Sequence, residues 1–263
     1  CSNRTLNYYK DNINKMFDAV NLPVNEITTE ILRNYLADYK SNSSAGMVTI
    51  DNIRRTLSSF FAWLENEDYI VKSPVRRIHK VKTTRKVKET LTDENLEKLR
   101  DTCSNVRDLA ILELLISTGM RVGEITILNI SDMNFQERSC IVLGKGNSER
   151  EVYFSAKSKM YIKKYLETIT DDNEALFVSL IKPYNRLGIS GIEILIRNLG
   201  KEANINKVHP HKFRRTMATM AIDKGMPIEQ VKKLLGHIKI DTTMEYAMVS
   251  QNNVKNSHRK YIT

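Results

Sequence analysis

Apolar residues recur every three or four positions over residues 5–20, at Leu6, Tyr9, Ile13, Met16, Phe17 and Val20. The same spacing returns over 29–39 at Ile31, Leu32, Tyr35, Leu36 and Tyr39, behind a Thr28-Thr29 start. After the turn-like run Ser41 to Gly46 it returns at Ile50, Ile53, Leu57, Phe60, Phe61 and Leu64. Each set covers one face of a helix and leaves the other face polar. Trp63 and Tyr69 close this unit before Ser73-Pro74. The pattern predicts a small all-helical domain over residues 1–75.

The periodicity changes further along. Leu91-Thr92-Asp93-Glu94 is a helix start with acids in the first turn. Val106 to Ser117 is nearly continuous Leu, Ile and Ala, which predicts a helix buried all round, closed by Thr118-Gly119 and followed by a restart over Arg121 to Leu128. Ser139 to Leu143 and Glu149 to Phe154 are β-prone runs about Gly144-Lys145-Gly146-Asn147, the pattern of a hairpin. A helix over 156–168, a short strand over Ala175 to Ser179 and a helix over 190–203 are predicted next. Pro210 then suits a helix start, Gly225 its end, Pro227 the next start and Gly236 the next end. Asp241-Thr242 announces a third helix, with Tyr246 in its first turns. Residues 90–263 therefore read as a mainly α, mixed α+β domain with a small antiparallel sheet.

Charge adds a partner. Lys plus Arg number 41 against 31 Asp plus Glu in 263 residues, a formal +10, which favours a polyanion, nucleic acid ahead of an anionic membrane. From Lys72 to Lys88 eight Lys or Arg occur without an acid. Residues 76–89 read as a basic linker whose Arg76, Arg77, Lys80, Lys82, Arg85 and Lys86 track phosphates. The apolar runs are too short to span a bilayer. The chain begins with Cys and shows no signal peptide, so a fragment of a longer, cytoplasmic protein is expected. Its three cysteines, at 1, 103 and 140, lack metal-ligand spacing and read as reduced thiols, Cys103 and Cys140 partly buried.

The chemistry concentrates near the C-terminus. His211 and Arg214, three apart, share one helical face; His237 follows Leu235-Gly236; Tyr246 comes nine residues later. A cation, two imidazoles and a phenol on short linked helices suit phosphate chemistry. No Asp/Glu/His cluster resembles a two-metal site. Tyr153, Tyr161 and Tyr165 lie in strand or helix patterns and read as packing. His209 and His258 read as surface residues, and Arg215 as a phosphate or structural contact.

His211-Lys212-Phe213-Arg214, then Leu235-Gly236-His237, then Tyr246, resembles the C-terminal active site of tyrosine recombinases, the phage integrase and Xer family. Thr118-Gly119-Met120-Arg121-Val122-Gly123-Glu124 resembles the family's T-G-x-R-x-x-E turn, and Lys145 stands where the family carries a hairpin lysine. The resemblance is strong over residues ~90–250 and architectural before that. It implies a DNA breaking and rejoining fold behind a core-binding domain, with Tyr246 attacking phosphorus to form a 3′-phosphotyrosine. Arg121 and Arg214 would hold the non-bridging oxygens, Lys145 protonate the leaving 5′ oxygen, His211 act as general base, His237 donate to the phosphate, and Glu124 orient the site helices. No metal or nucleotide cofactor is implied.

The implied partners are duplex DNA with recombination half-sites, a homotetramer on that DNA, and accessory excision or host factors. Integration or excision of a mobile element is the expected setting; alternatives are Xer-type dimer resolution, a type IB topoisomerase, and a catalytically idle DNA-binding protein. The tail after Tyr246, with Val249, Val254, Tyr261 and Ile262 spaced among cations, is expected to dock on a neighbouring protomer.

Overall fold

The computed structural model describes residues 3–82, 89–144, 149–170, 172–237, 239–240 and 242–244. Arg85, Lys86, Lys145, Tyr246 and the tail beyond it lie outside the described residues. The chain forms two compact units, Cys1–Lys86 and Val87–Thr263.

In the first unit the three predicted helices form as α1 (Asn3–Val20), α2 (Thr29–Ser41) and α3 (Met47–Asn66). Thr28 caps α2 by accepting the Ile31 N–H at 3.3 Å. Met16, Leu32, Leu36, Ile53, Leu57 and Phe61 meet in the core. Each such buried side chain contributes about 1.5–3 kcal/mol relative to exposure. The stretch after Ser73 departs from the expected linker. Pro74–Arg77 winds into a short 3-10 helix with Val75 buried, and Ile78 and Val81 pack on the same core. Thr29 donates to the Pro74 carbonyl at 2.7 Å, Arg33 to that of Arg77 at 3.0 Å, and the Val81 N–H donates to Asp51 at 3.1 Å. The chain as far as Val81 is thus part of the first unit, because its apolar residues alternate with its cations and find a core. Arg76, Arg77, Lys80 and Lys82 remain exposed on its outer side.

The second unit is built round α5 (Val106–Thr118), in which Ala110, Ile111, Leu112, Leu114 and Leu115 are fully buried. A helix apolar on all sides has to be covered on all sides. Truncating Leu115 to Ala would therefore cost about 2–5 kcal/mol. α4 (Asp93–Thr102), α6 (Val122–Thr126), α7 (Ala156–Leu166), α8 (Ile189–Glu202), α9 (Pro210–Asp223) and α10 (Ile228–Leu235) complete the named helices. β1 (Met133–Asn134), β2 (Ser139–Leu143) and β3 (Glu149–Tyr153) form an antiparallel meander in sequence order, with Cys140 opposite Val152 and Val142 opposite Arg150. Cys140, Val142 and Val152 face the core, whereas Ile141 and Leu143 face out. The strand expected over 175–179 is not one. Among the described residues only isolated bridges, Asn129 with Ala175 and Val178 with Arg186, form there, because Ala175 to Val178 is buried between neighbours with which it shares no continuous ladder.

Among the described residues no helix is long and apolar enough to cross a membrane. Burial pushes the thiols of Cys103 and Cys140 up to about 12, which leaves both as packing groups rather than nucleophiles.

Candidate active site

The site is organised by the C-terminal end of α10. A helix end leaves its last carbonyls without intrahelical partners. Here three consecutive ones each receive an arginine from a different element. Leu234 accepts from Nε of Arg150 on β3 at 3.1 Å, Leu235 from Arg214 on α9, and Gly236 from Arg121 at 3.4 Å. The negative end of the helix dipole favours cations at this point. Gly236 ends the helix with φ +64°, and a Cβ there would come within 2.9 Å of the Arg150 side chain. Glycine is required twice over, by the left-handed backbone and by the close arginine. His237 is the next residue.

Arg214 lies inward of His211 on α9. It is 3% exposed, and it also donates to the carbonyl of Gly119 at 2.8 Å. Gly119 is the left-handed cap of α5, with φ +59°. The buried guanidinium is thereby held between the C-terminal ends of two helices. Its neighbours differ. Lys212 is buried and donates to Asn206, while Arg215 donates to the carbonyl of Glu89 at 3.2 Å, a structural contact to the start of this unit. The Leu91 N–H donates to Thr216 and adds a second tie there.

Arg121 is the N-cap of α6, and Glu124 is its third residue. The Glu124 carboxylate accepts the Arg121 backbone N–H at 2.8 Å and the Arg121 guanidinium at 2.8 Å. It also accepts a two-pronged contact from Arg150, at 2.8 and 2.7 Å. Burial alone would raise this carboxyl, but the hydrogen bonds from Arg150 and Arg121 outweigh it and hold Glu124 below the usual glutamate range. Glu124 is therefore ionised at neutral pH. Arg150 belongs to none of the sequence motifs that mark the other site residues. Its signal was the alternation along β3, which puts residue 150 on the same face as the buried Val152 and Phe154.

The two imidazoles are neutral at pH 7. His211 sits exposed in the first turn of α9. Loss of hydration lowers its pKa, and Arg214, Arg121 and Arg215 lower it further. His237 is half-buried, with Nδ1 2.9 Å from the Thr243 hydroxyl. Desolvation, then Arg214, Arg121 and Arg150, bring it down to about 4. The fold thus gathers Arg121, Glu124, Arg214 and His237 at one helix end, with His211 in the same field.

Of the other tyrosines, Tyr165 is buried, with its hydroxyl accepting the Val178 N–H at 3.2 Å, and Tyr161 packs against the core. Tyr153 differs from the packing role expected of it. It is exposed and donates to Glu151 at 2.8 Å, on the outward face of β3 opposite the buried Val152. His209 is exposed, as expected of a surface residue.

A helical domain with a small meander thus brings three arginines to one helix end beside a neutral imidazole, an arrangement suited to holding a phosphate. Residues 89–253 match the model of the phage integrase family. Tyrosine recombinase XerC of Staphylococcus aureus (strain USA300) is 30% identical over 97% of this chain and 89% of its own length. Among solved structures, XerH site-specific recombinase bound to a palindromic difH substrate superposes with a TM-score of 0.81 at 20% identity, covering 98% of this chain and 80% of that one. The Tn1549 transposon integrase in complex with transposon right end DNA gives a TM-score of 0.81 at 16% identity, over 100% and 95%. The chain belongs to the phage integrase family, and it is a tyrosine recombinase.

Proposed function

We propose that this chain cuts and rejoins duplex DNA one strand at a time at a defined site, with Tyr246 as nucleophile. The Tyr246 oxygen bonds to phosphorus, the 5′ oxygen leaves, and a 3′-phosphotyrosine conserves the bond energy for rejoining to a second 5′ hydroxyl. Arg121 and Arg214 stabilise the charge developing on the non-bridging oxygens. His211, neutral at pH 7, takes the tyrosine proton, and His237 donates to the phosphate. Lys145 protonates the leaving oxygen, and Glu124 orients Arg121. The observation that carries this reading is the convergence of Arg121 and Arg214 on the last carbonyls of α10, one residue before His237.

Arg76, Arg77, Lys80, Lys82, Arg85 and Lys86 contact the DNA backbone, on half-sites bound by a cytoplasmic homotetramer whose C-terminal tails pass between protomers. Integration or excision of a mobile element is the setting, with accessory excision or host factors. A second reading, resolution of chromosome or plasmid dimers, is favoured by the 30% identity to XerC. Sequencing DNA joined covalently to the protein in its host separates the two: element ends support the first, one chromosomal site the second.

The chemistry is tested with a nicked duplex that traps the adduct. Wild type should give a protein–DNA species on a denaturing gel, and Tyr246→Phe should bind the duplex without giving one. An adduct persisting in Tyr246→Phe would move the nucleophile to another tyrosine.

A further inference from the structure

One strongly placed side chain has no part in the chemistry just proposed. Arg150 reaches from β3 to both oxygens of Glu124 and, through Nε, to the carbonyl of Leu234. We infer that Arg150 is a positioning residue: it is the permanent counter-ion of Glu124, and so leaves the charge of Arg121 available to the DNA phosphate. This rests on the recombinase reading above and adds a residue to it.

Glu124 accepts four hydrogen bonds, two from each arginine, which fills the lone pairs of a carboxylate. The two arginines are not equivalent. The Arg150 side chain is 11% exposed and the Arg121 side chain 33%, against 5% for Glu124. A phosphate arriving from solvent therefore meets Arg121 first. When Arg121 turns its fork toward that phosphate, a buried carboxylate is left behind, and an unpaired buried charge is strongly unfavourable. Arg150 removes that obstacle, because its own fork spans both oxygens. The sum over Arg121, Arg150 and Glu124 is +1. Without the Arg150 charge it is zero, and Arg121 would be spent on Glu124. The fork lies beside the helix end that carries His237, where a Cβ on residue 236 would come within 2.9 Å of Cδ and 3.1 Å of Nε and Nη1 of Arg150, and glycine leaves that space free.

The test uses the full chain and a nicked duplex, reading the rate of adduct formation at saturating protein separately from duplex affinity. Arg150→Gln should slow adduct formation about a hundredfold, the scale of losing one preorganised donor, with duplex Kd changed less than about threefold. Glu124→Gln removes the charge that Arg150 serves, so adding Arg150→Gln to it should cost less than about fivefold more. A role in packing alone would cost the same in both backgrounds. The decisive comparison is therefore the double variant against Glu124→Gln, and it stands even where Arg150→Gln alone fails to melt cooperatively. A full hundredfold loss in the Glu124→Gln background, a double variant that does not fold, or wild-type rates in Arg150→Gln would each overturn the inference. A wild-type chain that gives no adduct would instead overturn the recombinase chemistry itself.

Discussion

Arg214 donates to the carbonyl of Gly119, 95 residues earlier in the chain, and this bond locks the end of α5 to the middle of α9. The same guanidinium reaches Leu235 at the end of α10. Both helices stop on a left-handed glycine, Gly119 at φ +59° and Gly236 at φ +64°. The fold presents carbonyls at these caps, and the arginines take them. Gly236→Ala should therefore disturb the site as well as the backbone. The left-handed conformation costs a non-glycine residue about 1–2 kcal/mol, and the added Cβ pushes on Arg150. Thermal melting should show the loss of stability, and adduct formation should slow beyond what that loss explains.

Arg121 and Arg214 should separate on stability though not on rate. Arg121→Ala should slow cleavage about 10²–10³-fold, as expected for one transition-state donor. Its melting temperature should hardly move, because Arg150 still satisfies Glu124. Arg214→Ala should slow cleavage comparably and also destabilise the fold by about 2 kcal/mol or more, since two buried carbonyls lose a charged donor. Melting curves beside single-turnover rates check both. Equal losses of stability in the two variants would contradict the geometry.

The imidazoles give a pH signature. His237 has its pKa lowered from 6.5 to about 4 in the fold, so the unfolded chain takes up its proton first as pH falls. Its contribution to stability is complete above pH 6.5 and is lost as pH falls from there to about 4. The wild-type melting temperature should fall more across that window than that of His237→Gln. Cleavage has its own acid limb. His211 is lowered from 6.5, so the neutral base is present at pH 7, and the rate should fall only at more acid pH. A limb centred above 6.5 would assign the general base elsewhere.

Much of the fold was written in local patterns. The α5 run of Leu, Ile and Ala could only be a covered helix, and Pro210, Gly225, Pro227 and Gly236 punctuate α9 and α10 where the structure has their ends. Spacing also put His211 and Arg214 on one face. What local pattern does not carry is the tertiary partner. Nothing near residue 150 in the sequence shows that its side chain meets Glu124, 26 residues earlier, or the end of α10, 84 residues later. Likewise the basic stretch after Ser73 reads as linker on charge alone, while its embedded Val75, Ile78 and Val81 decide that it packs. The strand expected at 175–179 failed for want of a partner, which no propensity encodes.

That packing changes what the basic stretch should do to DNA affinity. Arg76, Arg77, Lys80 and Lys82 are exposed and carried on a folded surface anchored by Thr29, Arg33 and Asp51. Among the described residues, Arg76 alone of these four has an ion pair, a long one to Glu65 at 3.9 Å. Exposed pairs of this kind contribute about 0–1 kcal/mol, so replacing the four cations with Gln should leave melting nearly unchanged. Affinity for duplex should fall, and by the same factor for every sequence, because backbone contacts position the protein without reading bases. The slope of log affinity against log salt should flatten by about 0.9 for each phosphate no longer neutralised. A titration of cognate and scrambled duplexes over a range of salt concentrations checks both statements. A loss confined to the cognate duplex, or an unaltered slope, would mean that this surface reads sequence or does not meet phosphate at all.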